Sequence, residues 1–152
     1  MLIRKMDEND FDFIAEIEAV KFSDHLCRNG FKNALKQNNI FGYVYLEGRR
    51  ILAYFILCVD GFIIHINSIK VHPNYRRKGV ALECLKFVER FADNKKCTRV
   101  HLEVQERNLA AQLLFKKAGY KATRILRNRF SATNEDGYMM VRHLVEAFES
   151  AR

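Results

Sequence analysis

Residues 71–81, VHPNYRRKGVA, contain the features that decide the fold. An apolar, strand-like run ends at Val71, three adjacent cations follow in a short loop, and a helical pattern begins at Val80. The first N–H groups of a helix lack intrahelical partners, and the helix dipole adds partial positive charge there. With the cations, these groups predict a pyrophosphate site, to which Gly79 would allow a close approach of the backbone. The alternative is an ordinary basic turn between a strand and a helix.

The segments on either side of this loop alternate between strand and helix patterns. Runs typical of strands occur at 1–6, 41–47, 51–59, 62–71, 99–105, 121–127 and 138–144, and the run at 99–105 alternates strictly between apolar and polar residues. Apolar residues at a spacing of three to four predict helices at 9–20, 28–36, 80–93 and 109–118. Turns are expected at 48–50 and 60–61, a polar connection at 131–137, and a tail at 145–152. The pattern predicts one α+β domain over residues 1–152, with a mixed, mostly antiparallel sheet of about seven strands and about four helices.

Composition excludes several other classes of protein. Of the 152 residues, 49% are hydrophobic and 29% are charged, which is unlike a disordered chain. No apolar run approaches the roughly 20 residues of a membrane span, and the first residues do not resemble a signal peptide. We therefore expect a cytoplasmic protein that does not bind membranes.

The charge and cysteine content bear on ligands. A surplus of 26 Lys and Arg over 18 Asp and Glu gives a net charge of +8, which favours a phosphate-rich small molecule or nucleic acid as ligand. No recognition-helix or RNP pattern is present, so we expect no specific nucleic acid. The cysteines lack zinc-site spacing, so we expect no metal, and Cys58 and Cys84 are expected in the core.

Two motifs resemble the GNAT superfamily of acetyl-CoA-dependent N-acetyltransferases. Arg76-x-x-Gly79-x-Ala81 matches the family signature Q/R-x-x-G-x-G/A. Residues 102–120 follow the family pattern L-x-V-x-x-x-N-x-x-A-x-x-L-Y-x-x-x-G-F, and the two motifs have the family's order and spacing. The resemblance implies a GNAT fold, in which the central strands, here 63–71 and 99–105, splay apart and acetyl-CoA lies between them.

A narrower resemblance, over about residues 63–144, is to the RimI-like N-terminal acetyltransferases. It rests on LEVQERN at 102–108, RNRF at 127–130 and EDGYMM at 135–140. It implies that a protein or peptide N-terminal α-amino group attacks acetyl-CoA directly, without a metal. Three alternatives stay open: a lysine acceptor, a small-molecule amine acceptor, and a catalytically weakened domain that only binds acetyl-CoA.

The resemblance also implies cofactor-binding roles. Strand residues whose backbone pairs with the pantetheine arm correspond to Ile69, Lys70 and Val71. The pyrophosphate loop and helix start correspond to Arg76, Arg77, Lys78, Gly79, Val80, Ala81 and Leu82. Asn108 matches an asparagine that contacts the cofactor near its thiol end.

Glu103 matches the residue assigned as general base in the RimI-like enzymes. An α-amino group has a pKa of about 7.7–8.0, so it must lose a proton before it attacks the thioester. His101, on the same strand face, could substitute or assist, or both could belong to a solvated face. The family's tyrosine, which protonates the departing thiolate, is Phe115 here, so that role passes to Tyr138 or Tyr120 or is vacant.

Three arginines near the chain's C-terminal end have two possible roles. Arg124, Arg127 and Arg129 could line the acceptor cleft or cover a surface strand. Arg129 stands where close relatives often have an aromatic residue, which favours an altered acceptor preference. Because a basic surface repels a basic acceptor, electrostatics favours an acidic or neutral N-terminus.

Overall fold

The computed structural model describes residues 2–18 and 32–144. Seven strands lie within those residues: β1 (Leu2–Lys5), β2 (Ile40–Glu47), β3 (Arg50–Asp60), β4 (Ile63–Val71), β5 (Arg99–Gln105), β6 (Lys121–Phe130) and β7 (Glu135–His143). The same residues include the α-helices α1 (Phe11–Glu18), α2 (Val80–Asn94) and α3 (Leu109–Lys117). Short 3₁₀ segments occupy Glu8–Asp10 and Pro73–Tyr75.

The strands pair in the order β1-β2-β3-β4-β5-β7-β6, which confirms the predicted mixed, mostly antiparallel sheet. The exception is β4 with β5, which run parallel from Ile63 opposite Arg99 to Ile66 opposite Leu102. Of the predicted helix 28–36, residues 32–35 are helical and 28–31 lie outside the described residues, as do 19–20 and the tail 145–152. Within the described residues, no helix is long and apolar enough to cross a membrane.

The described residues form two compact units, and the division falls within β4 and α2. The first unit extends to Val59 and includes Asn67–Cys84; the second comprises Asp60–Ile66 and the residues from Leu85 onward. The prediction of a single domain over 1–152 stays a prediction.

The first unit has a core between α1 and the β2–β3 hairpin. Its buried residues are Phe11, Ile14, Ile17, Val44, Leu46, Ile51 and Tyr54. The spacing of three along α1 and of two along β2 brings these apolar side chains to one face each. The sequence pattern placed Phe13 on this face of α1, but Phe13 is 49% exposed and Phe11 is buried instead. Gly48 adopts a φ of 61° in the two-residue turn between the strands, a conformation that glycine tolerates best.

The second unit positions β5 and α3. Val100, Leu102 and Val104 are buried, so the intervening residues of β5 belong to the opposite face of the sheet. The Asn108 side chain accepts the Ala111 N–H and caps the start of α3. At the other end of α3, Gly119 has a φ of 96° and its N–H, like that of Tyr120, bonds back to the last turn. This C-cap of the Schellman type ends the helix where the sequence predicts.

The expected bounds of the polar connection after β6 are wrong. The polar connection is only four residues long, 131–134, because β6 continues to Phe130 and β7 begins at Glu135. Glu135 is a buried carboxylate that accepts the Arg107 N–H at 3.4 Å. Because a charged residue is not expected in a buried strand, the sequence pattern did not predict that β7 begins there.

Of the two cysteines expected in the core, Cys58 is partly exposed, so that expectation is wrong. Cys84 is buried as expected, and burial raises the pKa of its thiol to about 12.

Candidate active site

The basic loop of the first unit is built on a 3₁₀ turn. The His72 ring accepts the Asn74 N–H at 3.1 Å, and the Arg76 Nε donates to the Val71 carbonyl at 3.3 Å. Arg77 and Gly79 have φ values of 62° and 79°, in the left-handed region. These two positions turn the chain sharply before α2 and leave the loop's side chains exposed.

Two cations lie against the ring of Tyr75 at this loop. The Lys78 Nζ lies 5.5 Å from the centroid of the Tyr75 ring, and the guanidinium of Arg50 lies 5.8 Å from it. Arg50 also donates a hydrogen bond to the Tyr75 hydroxyl. The sequence pattern did not single out Arg50, because it lies 25 residues from Tyr75 and nothing in its own neighbourhood marks it as part of a site. Arg76 and Arg77 complete the positive surface.

The start of α2 suits an anion. The Glu83 N–H donates a hydrogen bond to the Gly79 carbonyl. The N–H groups of Val80, Ala81 and Leu82 come before it in the chain and therefore have no partner within the helix. The Val80 side chain is buried, which leaves only its backbone for a ligand. A Cβ at Gly79 would meet no atom within 4 Å, so the backbone there borders open space. The residues present therefore fit the predicted pyrophosphate.

The predicted pantetheine-pairing residues end β4. Ile69 and Val71 are partly exposed, Lys70 is exposed, and all three are extended. Their predicted backbone pairing with the cofactor stays a prediction. In the second unit, the Asn108 carboxamide oxygen accepts the helix-cap hydrogen bond, and its N–H₂ group can donate to a ligand.

Glu103 lies on the face of β5 opposite the buried valines. Its Oε2 accepts a hydrogen bond from the Nε of Arg129 on β6 at 2.6 Å, and the two side chains are 33% and 57% exposed. The hydrogen bond raises the pKa of Arg129. The candidate base is therefore ion-paired in this structure and remains within reach of solvent.

His101 shares the strand face of Glu103. Its ring is 5.4 Å, edge to face, from that of His65, and its Nε2 is buried with no hydrogen-bond partner in the described part of the chain. Burial lowers the pKa of His101, and the neighbouring His65 and Arg99 lower it further. A histidine with a lowered pKa is neutral at neutral pH, so it can accept a proton.

The two candidate tyrosines do not lie beside Glu103. Tyr138 is opposite Val104 and Ile125 in register, so its side chain belongs to the face opposite that of Glu103. Tyr120 is fully buried, its ring centroid 5.9 Å from that of Phe115. Both tyrosines line a cavity of about 540 Å³ together with Leu109, Gln112, Leu113, Lys116, Lys121, Ala122 and Met140. The role of Tyr138 as a proton donor stays a prediction.

Comparison with known proteins identifies the family. The model of the acetyltransferase (GNAT) family matches residues 4–120. A Bacillus subtilis (strain 168) protein provisionally named a ribosomal protein bS18-alanine N-acetyltransferase is 28% identical over 139 residues, which cover 91% of this chain and 92% of that protein. An N-alpha-acetyltransferase of Saccharolobus solfataricus is 25% identical, over 93% of this chain and 92% of the relative.

A solved structure shows the same fold. The ribosomal-protein-S18-alanine N-acetyltransferase of Escherichia coli superposes with a TM-score of 0.81 at 20% identity, over 94% of this chain and 93% of that one. The family match covers most of the chain and includes both motifs that carry the resemblance. The chain belongs to the GNAT family of acetyltransferases, which use acetyl-CoA.

Proposed function

We propose that this enzyme transfers the acetyl group of acetyl-CoA to the N-terminal α-amino group of a protein or peptide. The observation that carries the proposal is Glu103, the single acidic residue of β5, on the solvent-accessible face beside a neutral His101. Relatives that align over nine-tenths of the chain are named as ribosomal-protein alanine and N-alpha acetyltransferases, which supports this acceptor.

The basic loop supplies the cofactor site in this proposal. Arg76, Arg77 and Lys78 neutralise the pyrophosphate, and the N–H groups at the start of α2 donate to it. Arg50 adds a fourth cation from the β2–β3 turn. Ile69–Val71 offer extended backbone for the pantetheine arm, as the family resemblance implies.

The reaction is a direct transfer. The neutral α-amine attacks the thioester carbonyl, a C–N bond forms, the C–S bond breaks, and the amine proton passes to Glu103 or, through water, to His101. A backbone N–H near Val71 polarises the carbonyl. The leaving thiolate has a conjugate-acid pKa of about 8.5, so it can depart without a general acid at Phe115 and take its proton from solvent or Tyr138.

Phe115 favours one alternative from a different class. Phenylalanine at the family's tyrosine position is compatible with a domain that binds acetyl-CoA without efficient turnover. The two functions differ in a single measurement, since both bind the cofactor and only the enzyme releases CoA when an amine is added.

CoA release is therefore measured with acetyl-CoA and peptides of one sequence, with free and blocked N-termini, alongside lysine-containing and small-amine controls. We expect release only with free N-termini, and Glu103→Gln to lower kcat by about 10²–10⁴-fold, the usual contribution of a general base. Glu106→Gln, which removes the same charge just beyond β5, is the control and should retain activity. Cofactor binding without release from any amine would favour the binding-only domain.

The cofactor site is tested separately. Arg77→Gln and Lys78→Gln should each raise the KM for acetyl-CoA by about 10-fold, the size of one charge-assisted hydrogen bond, and leave peptide KM unchanged. Lys117→Gln, at the far end of α3, removes an equal charge and should leave the KM for acetyl-CoA unchanged. Equal effects of all three variants would show that only net charge matters.

A further inference from the structure

We propose that Arg129 selects acceptors whose first residue is acidic, an inference that rests on the proposed N-terminal acetylation. In the acceptor-free protein the guanidinium holds the Glu103 carboxylate at 2.6 Å. When the acceptor amine takes that place, Arg129 binds the side-chain carboxylate of an N-terminal Asp or Glu instead.

The β6–β7 hairpin is built to aim Arg129 at Glu103. One carboxylate, that of Asp136, accepts the Arg127 guanidinium at 3.0 Å and the Asn128 N–H at 2.7 Å. Asn128 adopts a φ of 53°, within an irregular stretch where the register between β6 and β7 shifts. The shift interrupts the strand's alternation, and the next residue, Arg129, reaches across β7 to β5.

Several basic side chains share the face that carries Glu103. Register and alternation place Arg99 and His101 of β5 on it, with Arg124 of β6 opposite Met139, the partner of Glu103. The charges of Arg99 and Arg124 both act on His101. Glu103 thus lies among several cations, and its carboxylate is the anion that Arg129 pairs with.

Catalysis removes that anion. When Glu103 accepts the proton that the attacking amine releases, its carboxyl becomes neutral and Arg129 loses its charged partner. A guanidinium presents several N–H donors in a planar fork that matches a carboxylate, so an acidic group on the acceptor replaces the lost interaction. With a neutral acceptor the Arg129 guanidinium has only water as a partner, and basic acceptors are repelled by the surrounding cations.

The position of Arg129 lets it contact the side chain of the acceptor's first residue and not that of the second. An amine within hydrogen-bond distance of Glu103 lies next to the Arg129 guanidinium, because the two side chains are 2.6 Å apart. In Asp the carboxylate is separated from the amine-bearing Cα by one carbon, so it remains close to that guanidinium. The side chain of the second residue of an extended peptide points to the other side of the chain.

The test compares isosteric peptides that differ only in an N-terminal Asp or Asn. Wild-type enzyme should prefer Asp by about 10-fold in kcat/KM, as expected for one charge-assisted hydrogen bond. Arg129→Gln should bring the Asp/Asn ratio close to one, and this ratio is the readout because loss of the Glu103 partner can change the turnover of both peptides. Lys117→Gln, which removes an equal charge elsewhere, should keep the wild-type ratio.

The outcomes separate this inference from the proposed function. A wild-type ratio near one, or a ratio that survives in Arg129→Gln, overturns the role of Arg129 while N-terminal acetylation of the Asn peptide stands. Absence of turnover with every free amine overturns both. Because the proposed contact is partly exposed, raising the ionic strength should lower the Asp/Asn ratio, and a salt-independent ratio would also contradict it.

Discussion

Replacing Tyr120 with phenylalanine is expected to stabilise the protein and to leave its turnover unchanged. Tyr120 is 0% exposed, and its hydroxyl has no hydrogen-bond partner in residues 2–18 and 32–144. A buried hydroxyl without a partner costs roughly 1–3 kcal/mol of folding free energy. Phenylalanine keeps the ring and its edge-to-face packing on Phe115 and removes that cost.

We expect Tyr120→Phe to raise the free energy of unfolding by about 1 kcal/mol, the lower end of that range. For a chain of this size this corresponds to a rise in Tm of about 2–4 °C. Urea denaturation should show a higher midpoint and an unchanged slope. Tyr54→Phe is the matched control: Tyr54 is also buried, but its hydroxyl lies 3.2 Å from the Ser68 hydroxyl. Loss of this hydrogen bond in Tyr54→Phe should lower the free energy of unfolding by about 0.5–1.5 kcal/mol.

The same variant tests whether Tyr120 protonates the leaving thiolate. Burial raises the pKa of Tyr120, and the nearby Glu89 charge raises it further. The phenol therefore stays protonated and is a weaker acid than the thiol it would protonate, so kcat should be unchanged. A loss of stability in Tyr120→Phe, or a ten-fold fall in kcat, would refute this reasoning.

Three further predictions follow from the structure. Phe115→Tyr restores the family's phenol and should raise kcat by about 10–100-fold, measured by CoA release. Asp10→Asn should lower stability to urea by about 1–3 kcal/mol at pH 7. Burial favours a higher pKa for Asp10, but its hydrogen bonds from Arg4 and a backbone N–H lower the pKa on balance. A lowered carboxyl pKa stabilises the fold above about pH 4, and this contribution is lost below it. Gly119→Ala should lower Tm more than Gly48→Ala, since both have positive φ but only the Gly119 Cβ would displace the Arg142 guanidinium from the Ala118 carbonyl and Glu89.

Each of these predictions has an outcome that contradicts it. An unchanged kcat in Phe115→Tyr would mean that this position lies away from the departing thiolate. For Asp10, a stability difference between wild type and variant that persists at pH 2 would show that the carboxylate charge is not its source. Equal losses at the two glycines would show that Arg142 yields to the added methyl group without cost.

Most of the fold follows from periodicity and turn chemistry in the sequence. The strict alternation along β5 predicted its bounds and its buried face, because alternating apolar and polar residues indicate a half-buried strand. The cap at Asn108 and the left-handed Gly119 were predictable for the same local reason. The start of β7 was not, because Glu135 is buried through a hydrogen bond to Arg107, far from it in sequence.

The site was predictable only in part. The cations of the basic loop and Glu103 stand in contiguous motifs, whereas Arg50 and Arg129 reach their partners from 25 and 26 residues away. No local pattern encodes such contacts, since they depend on strand order and on the register shifts between β6 and β7. Register also places Tyr138 on the face opposite Glu103, which sequence spacing does not reveal.

The central claim, acetylation of an N-terminal α-amino group, is tested most directly by locating the transferred acetyl group. A peptide with a free α-amino group and an internal lysine is incubated with enzyme and acetyl-CoA, and tandem mass spectrometry assigns the modified nitrogen. The account predicts acetylation of the α-amino nitrogen alone, and none when that group is blocked beforehand. An acetyl group on the lysine, or product formation with the blocked peptide, would contradict it.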